Sequence, residues 1–378
     1  MRRFLLLLTV LTAWSVLAAP QCDIGGKLES LPSPKWLDGT VRTVKNIRGN
    51  KKFAVLYIWH PDQAALTDFP RITLVADKFK SQVAFAGIAV GSEERIKRFP
   101  GVSRLGFPVN IDSKNAIADL VVLPAKSPVA LIVDSNNTLL WSGATAALPL
   151  ILKECLDGKF DLKEEMRKNE FSRAVNTAVK EQKFEQAYQL LNAEWKKSYD
   201  SLELLNAQII LLTRKLNRAD DAFALLHEAQ QKNPGKHQFF EAEYRLLGLP
   251  EFAKRVPDFF DRVKKDFSGQ PAVLMAFAVA EMGRPPEALN MPLIISLLDL
   301  GWNSKGFKKD AERGLFAIEY AKIAHAAGRT DIALQLAQIA VKLLKDDPRR
   351  QAGAKQAETY YRKLQKIAPQ FKPVDLKK

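Results

Sequence analysis

The sequence predicts an α/β sandwich over residues 19–158 followed by an all-α region of helical repeats over 159–368. Three observations carry this. Between Phe53 and Trp141, short apolar runs of strand length alternate with stretches of helical period and end in a close pair of strands, the pattern of a layered α/β domain. After Gly158 almost every segment has helical period, and Gly and Pro fall at joints rather than inside segments. The chain has 378 residues, 47% of them apolar, which is too long for one average domain and enough to fill two cores.

In order along the chain, Met1-Arg2-Arg3 and the uncharged run Phe4 to Leu17 have the basic and apolar regions of a secretory signal. The small residues Val16, Ala18 and Ala19 supply a cleavage site after Ala18. The competing reading is a membrane anchor, but a spanning helix needs roughly 20 apolar residues and Thr9, Thr12 and Ser15 interrupt this shorter run. Residues 1–18 are therefore expected to be removed, leaving an exported, periplasmic protein. Loss of Arg2 and Arg3 lowers the formal charge from +15 to +13. Nine Lys and Arg against Glu358 and Asp375 place +7 of it between Arg349 and Lys378. That basic end, with the tail 369–378, is expected either to touch an anionic envelope surface or to be a solvated face. No recognition motif accompanies the charge, so nucleic acid is not an expected partner.

Val41, Val44 and Ile47 are apolar positions around a Gly49-Asn50 turn, ahead of a strand at Phe53 to Trp59 with no polar face, suited to the middle of a sheet. Asp62 can cap the helix that follows, whose apolar rhythm runs through Leu66, Phe69, Ile72, Val75 and Phe79, with a kink or restart expected at Pro70. A strand at Val83 to Val90, a short helix at Glu93 to Arg98, a strand at Pro108 to Ile111 and a helix at Asn115 to Val121 come next. Strands at Val129 to Val133 and Thr138 to Trp141 flank a Ser135-Asn136-Asn137 turn, and a helix at Ala146 to Leu156 closes the domain.

The segments "WLDG", "VLYIWHPD", "DFP", "FPVNIDS" and "SPVALIVDSNNTLLWSG", in this order between Pro34 and Gly158, resemble the landmarks of the TlpA-like branch of thiol-disulfide oxidoreductases in the thioredoxin superfamily. The resemblance implies a strand-turn-helix corner that carries Cys-x-x-C, faced by a cis proline. Here Asp62 and Ala65 stand where the two cysteines would be, after His60 and Pro61, and Pro128 matches the proline. Disulfide exchange needs a thiolate to attack and a second thiol to resolve, and neither a carboxylate nor a methyl group performs either step. A redox-inactive fold kept for shape or binding is the expectation, with Ser127, Pro128 and Val129 as the lip of a groove for an extended peptide of a protein partner. The alternative is an oxidoreductase of the same family that uses Cys22 or Cys155. As the only two cysteines, in an oxidising compartment, these suggest a bridge between the leading segment and the last helix; otherwise Cys155 is a buried free thiol.

In the helical region "NRADDAFALLHEAQQKNP" from Asn217 and "GRTDIALQLAQIAVKLLKDDP" from Gly328 share a turn residue, an Arg, and an Ala five positions after the turn residue. Seven residues on comes a second Ala: Ala222 then Ala229, Ala333 then Ala340. "KFEQAYQLL" at Lys183 and "GRPPEALNM" at Gly283 are weaker echoes. The pattern resembles tetratricopeptide repeats, which implies either a concave binding surface or an array filled by its own side chains. His60 is alone in its domain, and His227, His237 and His325 have no ligand spacing, so no metal is expected, metal handling through His60 being the lesser alternative. No Gly-rich phosphate loop or Ser/His/Asp set calls for a cofactor or a hydrolytic site.

Overall fold

The computed structural model describes residues 22–28, 30–31, 35–121, 128–345 and 350–368. The expected signal segment 1–18, Ser127 and the tail 369–378 lie outside the described residues. The chain divides into two compact units, the first ending at Leu190 and the second beginning at Leu191.

The first unit is built on β1 (Phe53–Trp59), β2 (Val83–Val90), β3 (Val109–Asp112), β4 (Val129–Val133) and β5 (Leu139–Ala144), in the spatial order β3-β2-β1-β4-β5. The strands β1, β2 and β3 are parallel; β4 runs antiparallel to β1, and β5 antiparallel to β4. Apart from Phe53 at its edge, β1 is buried throughout, as a strand of Val, Leu, Ile and aromatics at the centre of a sheet must be. Its side chains alternate between two cores. Val55, Tyr57 and Trp59 face one that includes Phe69, Ile72 and Leu152, while Leu56 and Ile58 face another that includes Trp36, Val44 and Ile117.

The helices around the sheet are α1 (Val44–Arg48), α2 (Gln63–Phe79), α3 (Glu93–Lys97), α4 (Ile117–Leu120) and α5 (Leu148–Leu156). The stretch around Val44 and Ile47 is thus a helix, opened by a reciprocal cap between Thr43 and Asn46. Through Pro70 α2 is continuous, against the expected break. That proline is exposed, while Ala65, Phe69, Ile72 and Val75 hold the opposite face in the core.

Both sheet edges are closed by the leading segment. Beside β5, Gly25 N–H donates to Leu139 O (2.8 Å), Leu139 N–H to Gly26 O (2.9 Å) and Leu28 N–H to Asn137 O (2.8 Å). Beside β3, Leu37 N–H donates to Val109 O (2.9 Å) and Ile111 N–H to Lys35 O (2.8 Å). Ile24, Leu28 and Trp36 add apolar anchors on the same core.

The all-α region begins with α6 (Leu162–Lys180), but that helix belongs to the first unit and moves the division past the expected boundary at 158. The reason is packing. Leu162 joins the core that holds Trp36, Arg173 makes a two-pronged ion pair with Asp23, and the Met166 thioether lies against Gly25.

Then come α7 (Phe184–Trp195), α8 (Leu202–Arg214), α9 (Ala219–Lys232), α10 (His237–Leu246), α11 (Val256–Phe267), α12 (Pro271–Met282), α13 (Met291–Trp302), α14 (Asp310–Ala326), α15 (Thr330–Leu344) and α16 (Gln351–Ile367). Three helix joints share one geometry. Gln182, Asn217 and Gly328 all take positive φ (58°, 52° and 78°), and the Ala five positions later, Ala187, Ala222 or Ala333, is fully buried. Lys183 N–H to Ala178 O and Arg329 N–H to Ala324 O close two of these joints with the bond that satisfies a helix's last carbonyls. Ala229 and Ala340 are also fully buried. The echo at Gly283 is different: its φ is −81°, and Ala288 is exposed.

In the second unit a buried Glu243 ties three helices together. Arg262 Nη2 on α11 donates to Glu243 Oε1 on α10 (2.6 Å), and from α9 Gln230 Nε2 donates to Glu243 Oε2 (2.7 Å), with His227 Nε2 3.2 Å from Oε1. Burial alone would raise the Glu243 carboxyl, but the His227 and Gln230 hydrogen bonds and the Arg262 charge outweigh it and hold it below the ordinary value of 4.5.

Trp36→Ala removes an anchor of the edge-closing segment and is expected to cost the first unit about 3–5 kcal/mol, read as a lower urea midpoint. For Glu243 the folded pKa is the depressed one. Its stabilisation is therefore complete above pH 4.5 and is lost as the pH falls through the folded value. Glu243→Gln should weaken the second unit at neutral pH by no more than about 3–5 kcal/mol. It should also flatten the acid limb of stability in urea titrations between pH 3 and 7.

Candidate functional site

The candidate site lies where the parallel strands end. Trp59 closes β1, and the chain turns through His60 and Pro61 into α2. Asp62 takes an extended conformation as the N-cap, and its Oδ1 accepts from Ala65 N–H at 3.0 Å. The turn is tightened by Asp62 N–H donating to His60 O at 2.8 Å. His60 and Asp62 are exposed, whereas Pro61 and Ala65 are buried.

Strand register brings the second half of the site to this corner. Ile58 lies opposite Val129, so Pro128 enters β4 beside the end of β1. Val129 is buried in the sheet and Pro128 is half-buried; Ser127, the third residue expected at this lip, is outside the described residues. On the other side Trp59 pairs with Ala89, so the turn after β2 also arrives here. Gly91 stands there with φ +151°, and a Cβ on it would lie 3.5 Å from the Pro61 ring. Ligands of open α/β sheets bind at this end of the strands.

Two features of the corner were not read from the sequence. Arg95 on α3 donates from Nη2 to Pro61 O at 2.9 Å, linking the two turns. Its only sequence signal is a basic residue on a short helix after a strand. Behind the corner Asp68 is buried in α2, with Oδ1 3.5 Å from Arg71 Nη1. Burial first, and then the Asp68 charge, push the Tyr57 hydroxyl well above its ordinary range.

The corner carries no cysteine. Asp62 occupies the cap position, where partial positive charge from free N–H groups would favour a thiolate, and uses it for a carboxylate. Ala65, enclosed one turn later, offers only a methyl group. The mixed sheet in the order β3-β2-β1-β4-β5, with the β1–α2 corner facing the proline at the entry of β4, decides the fold. The amino-terminal unit is thioredoxin-like.

No family model matches the chain, and no curated protein matches it. Solved structures similar to it include a secreted disulfide oxidoreductase of Mycobacterium tuberculosis (21% identity, 31% of this chain and 90% of that one, TM-score 0.26). Others are the thioredoxin domain of a thiol-disulfide oxidoreductase from Bacteroides vulgatus (13%, 36% and 98%, TM-score 0.29) and StoA from Bacillus subtilis (14%, 32% and 97%, TM-score 0.26). About a third of the chain is covered in each case.

The two cysteines are not bridged, which corrects the expected Cys22–Cys155 disulfide. Cys22 is buried in the core with Trp36 and Leu56, Cys155 in the opposite core with Tyr57 and Leu152, so the sheet itself stands between them. A disulfide needs Cα atoms within about 7 Å, closer than two layers separated by a sheet can come. Burial raises the Cys22 thiol and, with the Glu154 charge adding to it, pushes Cys155 up to about 12. Among the described residues no group of three or more His, Cys, Asp or Glu could hold a metal ion, and no helix is long and apolar enough to cross a membrane.

Both thiols are expected to resist iodoacetamide in the native protein at pH 7.5 and to label fully in denaturant, as read by intact mass. Rapid native labelling of either would contradict the burial described here.

Proposed function

We propose that the chain is an exported, non-catalytic thioredoxin-like protein that acts as a protein-binding or assembly factor in the cell envelope. The observation that carries this reading is the corner itself. Strand, turn, cap and helix are all built as a reactive site requires, yet Asp62 and Ala65 hold the positions of the two thiols. What such a corner retains is a rim of exposed His60 and half-buried Pro128 at the end of the strands, which suits contact with a peptide rather than bond exchange.

The alternative, an oxidoreductase working through Cys22 or Cys155, has the burial and raised pKa of both thiols against it. Export is supported by the basic and apolar leader of the sequence. A tetratricopeptide-like character for the helical region is supported by the three equivalent joints at Gln182, Asn217 and Gly328. The basic end of the chain supplies a second attraction, to anionic envelope surfaces.

The test is photocrosslinking in living cells with a benzophenone amino acid at His60 and, as control, at Lys80 past the far end of α2, roughly 25 Å along the helix. A discrete crosslinked protein from position 60 and none from position 80 is the expected result. No product at position 60, or the same products from both positions, would overturn the reading.

A further inference from the structure

Next to the corner is a depression of about 390 Å³ whose lining includes Arg95, Arg98 and Phe99, and which no residue named so far requires. Its floor is fixed. The Phe99 ring is half-buried, 5.5 Å from the Trp59 ring and 5.8 Å from Phe69, so it is anchored in the core beneath the corner. One wall is fixed as well, because the Arg95 side chain is held by Pro61 O at 2.9 Å.

The charges on this wall are only loosely committed. A guanidinium carries five N–H donors, and the bond to Pro61 O, a neutral acceptor, uses one. Arg98 Nη2 is 3.0 Å from Glu94 Oε1, a pair on one helical face whose side chains are 80% and 73% exposed. Such a pair contributes little and exchanges readily. The remaining acid of α3, Glu93, is engaged by both Lys35 and Lys97. The depression therefore presents an aromatic floor beneath two guanidinium groups, one pre-positioned and one in a weak surface pair with Glu94, whose carboxylate also lines the depression and would have to be displaced from Arg98 by an incoming acid.

We propose that this depression takes an acidic side chain, Asp or Glu, of the extended peptide bound at the corner, which makes the partner segment acidic. The proposal rests on the peptide-binding reading given above. The carboxylate pairs with Arg95 and Arg98 in the forked geometry that guanidinium groups favour, and its methylene stem lies on Phe99. Because Arg95 is bonded to Pro61, the depression continues directly from the corner, within reach of a strand that advances about 3.3 Å per residue.

The experiment uses the full mature chain and two fluorescein-labelled nonapeptide pools, degenerate except at the central position, which is Glu in one and Gln in the other. Binding is followed by anisotropy in 50 mM and 300 mM salt. The Glu pool should bind about tenfold more tightly than the Gln pool, the worth of one charge-assisted contact, and lose most of that margin at high salt. Arg95→Lys, which keeps the charge and loses the fork, and Arg98→Gln, which leaves the Pro61 anchor untouched, should each reduce the preference. Equal binding of the two pools, or a preference that survives both substitutions, overturns the acidic site and leaves peptide binding standing. Binding of neither pool removes both.

Discussion

The pairing of β1 with β4 is the interaction on which the rest of the first unit depends. Because β4 runs antiparallel to β1 in the register Ile58 to Val129, its entry at Pro128 meets the exit of β1 at Trp59. Parallel pairing of β1 with β2 brings the turn at Gly91 to the same place. The exit of β1, the turn at Gly91 and the entry of β4 thus meet at one end of the sheet. A shift of one residue would exchange the two cores, moving Tyr57 and Trp59 to the side of Trp36 and Val44. The site exists because that register is held on both sides by buried apolar faces.

On this frame, the residues of the corner are explained by local structure. A cap position needs an acceptor for Ala65 N–H, and the Asp62 carboxylate meets that need with a 3.0 Å hydrogen bond. The enclosed position at Ala65 tolerates a small residue. Both residues fit the local structure, and the cap at Asp62 sets where the helix starts. The two cysteines sit where apolar residues belong, one in each core, and pack as small hydrophobic side chains.

Much of this was legible in the residues. The continuous apolar runs marked β1 and β2 to the residue, since a strand buried on both faces cannot hide its composition. The cap at Asp62 was readable from one acceptor before an apolar rhythm, and the helix joints at Asn217 and Gly328 from turn residue and Ala spacing. What escaped the sequence depends on distant pairing. The helix at Val44–Arg48 is too short for periodicity to show. Continuity through Pro70 depends on which side of the helix faces water, and α6 joins the first unit through Arg173 and Met166 meeting a segment about 150 positions earlier. The Arg95 bond to Pro61 and the separation of Cys22 from Cys155 likewise follow from the sheet, not from spacing along the chain.

Closure of both sheet edges by the leading segment also fixes the order in which the protein can be completed. Lys27 leaves the ribosome first and waits for Thr138, 111 positions later, before its place beside β5 exists. Until then, the segment destined for the edges has nothing to pair with, and any sheet that forms without it exposes unpaired N–H and C=O groups along β3 and β5. Such long-range closure is slow, because the entropy of a large loop is lost before the contacts form. A sheet lacking this segment would offer both edges to its own copies, so edge closure guards the finished fold against strand-to-strand association.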